Sequence, residues 1–206
     1  MALTNYSELQ ASIADFLNRS DLTSEIPDFI RLAEVGMERE IRHWRMEKRS
    51  TATLDTQYSS LPDDFREPVR FIITASEVHT LEQAGPFEIS QRRANASDTT
   101  GRPEIYALLD GSIEVFPTPD TNYTLELLYY TNIDNLSSTV STNWLLTNYP
   151  DAYLYGSLMH SAPFLAEDQR IQTWSALYQR SIDAINAESE RGKTSGSGRR
   201  IKIRSY

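Results

Sequence analysis

Residues 24–45, SEIPDFIRLAEVGMEREIRHWR, constrain the fold more than any other stretch of the chain. Ile26, Phe29, Ile30, Ala33, Met37, Ile41 and Trp44 recur at steps of three and four. A helix here carries them on one stripe, with Asp28, Arg31, Glu34, Glu38 and Arg42 expected to face away. Such a helix of about 22 residues is roughly 33 Å long at 1.5 Å per residue. A stripe of that length needs other helices to cover it, and the remaining helical periodicity lies at the two ends of the chain.

At the N-terminal end, Tyr6, Leu9, Ile13, Phe16 and Leu17 predict a first helix over residues 5–18. Asn5 is its N-cap and Glu8 the capping-box partner. Pro27 sits in the first turn of the second helix, where its missing amide has no intrahelical acceptor. After Lys48 the pattern turns extended. Residues 51–56, 69–74 and 78–81 read as strands, with Pro62, Asp63 and Asp64 in a turn. Residues 86–93 suit a short helix or a loop, and RANASDTTGRP is a polar loop expected to be the most mobile part of the middle region. Residues 105–109 and 112–116 flank Asp110-Gly111 as a β-hairpin. A strand over 123–130 places Tyr123, Leu125, Leu127 and Tyr129 on one face, giving an expected meander of five or six antiparallel strands.

Helical periodicity returns near Asn143. Pro150 opens a helix expected to run until Pro163, and Ile171, Trp174, Leu177, Tyr178, Ile182 and Ile185 mark a last helix over 167–189. The order predicts an α+β fold: a four-helix bundle formed by the N- and C-terminal helices, with an inserted antiparallel β lobe and an extended C-terminal arm. The expected boundaries are a helical hairpin at 1–48, the β lobe at 49–133, the second helical half at 134–190 and the arm at 191–206. The expected bundle core contains Phe16, Ile30, Met37, Ile41, Trp44, Leu158, Trp174 and Tyr178.

Charge divides the chain unevenly. Residues 1–190 carry all 29 acidic side chains and 14 of the 20 basic ones, whereas residues 191–206 carry six basic side chains and no acidic one. The body is unsuited to gripping DNA phosphates; the tail suits nucleic acid or an acidic protein surface. Three glycines and two intervening serines predict a flexible arm, and its last residues, IKIRSY, alternate like a strand fit to add to a partner's sheet. No apolar run approaches the roughly 20 residues of a membrane helix. The N-terminus lacks the pattern of a secretion signal, and there is no cysteine, so synthesis in a reducing cytosol is expected.

Chemistry-bearing motifs are missing. His43, His79 and His160 have no metal-type spacing, and Gly192-Lys193-Thr194 lacks the first glycine of a phosphate loop, Ala187 standing there instead. Trp44, Trp144 and Trp174 with Tyr149, Tyr153, Tyr155 and Tyr178 fit packing better than an aromatic ligand site. No catalytic, cofactor-binding or metal-binding residue is expected, and the protein is read as a non-enzyme.

Three segments in order carry a resemblance: IPDFIRLAE with EREIR, then YSSLPDDF, then GRPEIYALLDGSIEVFPTPDTNYTLELLYY leading into TNWLLTNYPDAYLYGSLM. Over about residues 4–190 they resemble the head-to-tail adaptor proteins of short-tailed, double-stranded DNA bacteriophages. The resemblance implies a ring, typically of about twelve subunits, docked beneath the portal protein with tail nozzle or fibre proteins below. Double-stranded DNA passes through such a ring without sequence recognition. It implies a virion component assembled in the host cytoplasm, with no membrane partner and no catalysis. A C-terminal arm that climbs onto the portal is implied too, through Arg199, Arg200, Ile201, Lys202, Ile203, Arg204 and Tyr206. The alternatives are a nucleic-acid-binding accessory protein using the basic arm, and a head-completion protein of a long-tailed phage.

Overall fold

In the computed structural model residues 3–19, 21–74, 77–97, 99–165 and 169–195 are described. They form a mixed α+β protein with six α-helices and two sheets rich in antiparallel pairs. The chain divides into two units. One is built from described residues within Met1–Trp44 and Ile133–Tyr206, the other from those within Arg45–Asn132.

The first unit contains α1 (Tyr6–Leu17), α2 (Ile26–Glu40), α4 (Trp144–Asn148), α5 (Pro150–His160) and α6 (Arg170–Thr194). Its middle helix is α5, which packs on α1, α2 and α6. Local chemistry sets the ends of α1. The Asn5 side chain accepts from the Glu8 amide at 3.0 Å, and Asn18 closes the helix in the left-handed region at φ 53°. The reciprocal arm of the cap differs from expectation, because the Glu8 carboxylate accepts from Thr4 N at 2.9 Å and Thr4 Oγ1 at 2.6 Å rather than from the Asn5 backbone amide.

The second helix is shorter than its periodicity predicts. It ends at Glu40, and Ile41 is extended at φ −87°, ψ 131°. Asn186 of α6 explains the break. Its Nδ2 donates to Glu40 O at 3.0 Å and its Oδ1 accepts from Arg42 N at 2.9 Å, capturing backbone groups a longer helix would use. One turn along α6, Ser189 Oγ accepts from Trp44 N at 3.0 Å. The chain therefore leaves α2 with period two. Ile41 and His43 point inward at 0 % exposure, while Trp44 turns outward at 45 %. Phe16 is also outside the core, at 40 %, because the buried stripe of α1 follows Leu9, Ile13 and Leu17 and leaves Phe16 on its flank. Ile30, Met37, Leu158, Trp174 and Tyr178 are buried.

The second unit holds β1 (Glu47–Leu54), β2 (Tyr58–Ser60), β3 (Phe65–Thr74), β4 (Val78–Thr80), β5 (Glu82–Gln83), α3 (Pro86–Asn95), β6 (Ile105–Leu109), β7 (Ser112–Phe116) and β8 (Tyr123–Thr131). The expected meander does not form. One sheet has the order β1-β8-β3-β4 and the other β2-β7-β6-β5, with β5 parallel to β6. Burial accounts for the crossing of β8. Its face of Tyr123, Leu125, Leu127 and Tyr129 is buried and packs in one cluster with Tyr106, Ile113 and Val115 of the other sheet. A place beside β7 in the same sheet would not cover that face.

The β6–β7 hairpin turns at Asp110-Gly111, with Gly111 at φ 67° and Leu109 paired to Ser112. On the opposite face of that sheet α3 seats Ile89 against Ile105, Ala107 and Phe116. Arg93 ties α3 down through Thr118 Oγ1 at 2.8 Å and Val115 O at 3.0 Å. The polar loop after α3 is held as well: Thr118 N donates to Thr99 O and Gly101 N to Thr118 O, both at 2.8 Å.

Candidate functional site

Residues 132–143 return from the β unit to the helices without regular structure, so their backbone groups need other partners. One carboxylate organises them. Glu34, 2 % exposed on α2, accepts from Leu136 N at 2.7 Å and from the Tyr153 hydroxyl at 3.3 Å. Asn143 extends the network, its Nδ2 donating to Asp134 O at 2.7 Å and Tyr153 Oη at 2.6 Å while its Oδ1 caps α4 at Leu146 N, 2.8 Å. Arg31 stands 3.6 Å from Glu34 and also bonds Asn135. The returning segment is thereby strapped to α2 and α5, and Tyr6 N donates to Ser141 O at 2.7 Å to add α1.

This position of Glu34 corrects the sequence expectation that it faces away. Glu34 lies four residues after Ile30 and three before Met37, so it belongs to the apolar stripe by spacing. That spacing is the signal by which it could have been found.

Burial raises the Glu34 pKa above its ordinary 4.5, opposed by the Leu136 amide, Tyr153 and Arg31. Because the folded value is raised, the folded state takes up the proton more readily. The stability tied to Glu34 is fully present below about 4.5 and is lost as pH rises through the folded value. Glu34→Gln removes that titration. Thermal melts from pH 7 to pH 4 are expected to show the stability difference moving in favour of the parent as pH falls. Parallel curves for the two proteins would contradict a buried, titrating Glu34.

The second feature is the end of α6. His43 lies between Trp44, at 5.3 Å, and Trp144, at 5.1 Å, with Tyr149 at 6.2 Å from it. A Cβ on Gly192 would come within 3.1 Å of the Trp44 Nε1, so α6 and the 41–44 segment touch closely there. Trp174 is buried beneath the Arg170 guanidinium at 5.0 Å, and Tyr153 is in the Glu34 network, so these aromatic side chains serve packing.

Helix α6 runs to Thr194, beyond the expected end at Ser189, so Arg191 to Thr194 are helical rather than the start of an arm. The close contact of Gly192 with Trp44 and a Thr194 Oγ1 bond to Glu190 O at 2.9 Å support the extra turn. Arg199, Arg200, Ile201, Lys202, Ile203, Arg204 and Tyr206 lie outside the described residues.

The two turn aspartates differ. Asp64 pairs with Lys48 at 2.6 Å and accepts from Tyr129 Oη at 2.8 Å. The Lys48 hydrogen bond is the main cause of its lowered pKa, while burial, then Asp64, push Tyr129 up to about 12. Asp63 is exposed. Among the described residues no cluster of three or more His, Cys, Asp or Glu is placed to hold a metal ion, and no helix is long and apolar enough to cross a membrane.

The model of the SU10 adaptor protein family matches residues 4–201, and the chain belongs to that family. The match agrees with the resemblance to phage head-to-tail adaptors. A search of curated proteins finds no match.

Proposed function

We propose that the protein is a structural head-to-tail adaptor in the neck of a tailed phage virion, acting by assembly and not by catalysis. Copies form a ring of about twelve beneath the portal protein, with tail nozzle or fibre proteins attached below. The observation that carries this reading is the adaptor-family match over almost the whole chain. The helical unit is the building block of the ring, and the basic segment after α6 anchors it to the portal. An acidic chain, −9 overall, favours a channel wall that repels DNA phosphates, so that the genome slides through.

The test is mass measurement of the protein mixed with its portal protein. Ring-shaped complexes of several adaptor copies per portal are expected. Failure to form them across low and moderate salt overturns the reading.

A further inference from the structure

Strand β1 stands at the edge of the sheet β1-β8-β3-β4 and pairs along its eight residues with β8 alone. Among the described residues, the backbone groups of Lys48 to Leu54 that point away from β8 have no hydrogen-bond partner. The other edge strands are short: β2 and β4 have three residues each and β5 has two. Long edges are ordinarily blunted by a proline, a bulge or a free lysine. β1 contains no proline, and its register with β8 is unbroken. Its lysine, Lys48, is held by Asp64 of the same chain at 2.6 Å. The edge is therefore open to another strand.

Alternation puts Arg49, Thr51 and Thr53 on the outer face of β1, opposite buried Leu54 and half-buried Ala52, and Asp55 is the next residue on that outer face. The two ends of this face differ in charge. At one end Arg49 and Arg70 share a single carboxylate, Glu126; at the other, Asp55 is exposed and bonded to no described residue. We propose that β1 pairs antiparallel with β1 of a second copy, about a two-fold axis at Ala52. Such an axis is perpendicular to the sheet, so residues paired across it share a face. This register sets Arg49 against Asp55 of the second copy at both ends, and Thr51 against Thr53. An axis at Thr51 would instead oppose Glu47 and Asp55, two like charges, and an axis at Thr53 would leave Arg49 opposite Gln57 and shorten the overlap. A shallow concavity of about 200 Å³, lined by Thr51, Ala52, Thr53 and Thr124, lies where the axis passes. It is smaller than the roughly 300 Å³ of a ligand pocket and suits the side chains of an adjoining strand. A two-fold contact uses one patch on both copies and closes at two, so it belongs to the free protein and differs from the head-to-tail contacts of a ring. It occupies the open edge before assembly, and it is measured without the portal protein.

The absence of cysteine makes the register testable. Full-length Thr51→Cys and Thr53→Cys proteins are mixed in equal amounts and oxidised mildly. Directly opposed Cβ atoms lie about 5 Å apart and diagonal ones about 7–8 Å, so the mixed 51–53 disulfide is expected to form about tenfold faster than the 51–51 or 53–53 disulfide of either protein alone. One strand pair is a small interface, so sedimentation of the parent is expected to show a reversible, concentration-dependent dimer. Asp55→Arg and Arg49→Asp are each expected to weaken that dimer at least about tenfold, and mixing the two variants to restore it, because each then meets the opposite charge. The cysteine comparison leaves Arg49 and Glu126 intact, so it decides the matter should Arg49→Asp fail to fold. Equal disulfide rates in the mixture and in the separate proteins, a parent that stays monomeric at high concentration, or a dimer indifferent to both charge reversals overturns the proposal.

Discussion

Gly156→Leu is expected to lower the melting temperature of the helical unit by about 10 °C, corresponding to roughly 3 kcal/mol. Gly156 sits in α5 where the helix touches two others at once. A Cβ there would lie 3.1 Å from Ala33 Cβ on α2 and 3.1 Å from Tyr178 Cε2 on α6. A helix-interior glycine costs about 1 kcal/mol relative to alanine, so close approach outweighs propensity at this site. Leucine has no void to enter and must separate α5 from both neighbours, weakening the packing of Met37, Leu158 and Tyr178. Gly36→Ala is the contrasting substitution. Its Cβ would meet only the Tyr178 hydroxyl at 3.4 Å, so the gain in helix propensity should make it neutral or stabilising. A leucine variant at 156 that melts within 2 °C of the parent would show that the α2–α5–α6 junction is looser than described.

Truncation after Ser195 is expected to leave the melting temperature unchanged and weaken attachment to portal rings by at least about a hundredfold. Repeated weak contacts around a ring multiply, and all are lost together. The cut must fall there. Ending the chain at Glu190 also removes the last turn of α6 and the Gly192–Trp44 contact, so that shorter protein should melt lower. Comparing the two truncations by melting and by co-sedimentation with the portal protein separates loss of anchoring from loss of fold. Unchanged co-sedimentation of the protein ending at Ser195 would remove the arm from the proposed function.

Features written in neighbouring residues were legible in the sequence. The cap at Asn5 and the Asp110-Gly111 turn each depend on a few consecutive side chains, and each is present. Partners distant in sequence were not legible. The strand Tyr123–Thr131 reads as the next step of a meander, yet its apolar face places it between β1 and β3. Ile41 to Trp44 keep helical spacing in the sequence, but α2 ends at Glu40 with Ile41 extended, and Asn186 and Ser189, about 145 residues away, bond the backbone of Arg42 and Trp44. Glu34 is charged and so reads as outward-facing. Its spacing put it inward, and its acceptor role needs the Leu136 amide, about 100 residues further on. The polar network and the two anchors on α6 were therefore visible only once both ends of the chain were in place.

Insertion of the β unit between the two halves of the helical unit has a consequence during synthesis on the ribosome. The stripes of α1 and α2 emerge first, but α5 and α6, which cover them, follow only after the intervening strands. At about 5–20 residues per second the wait is on the order of ten seconds. During that interval nascent chains present bare Phe29, Ile30 and Met37, while the inserted strands have all their own partners and can close early. The newborn protein should thus bind a holding chaperone through its first forty residues and leave it when translation ends, which limits how fast finished copies reach the assembly site.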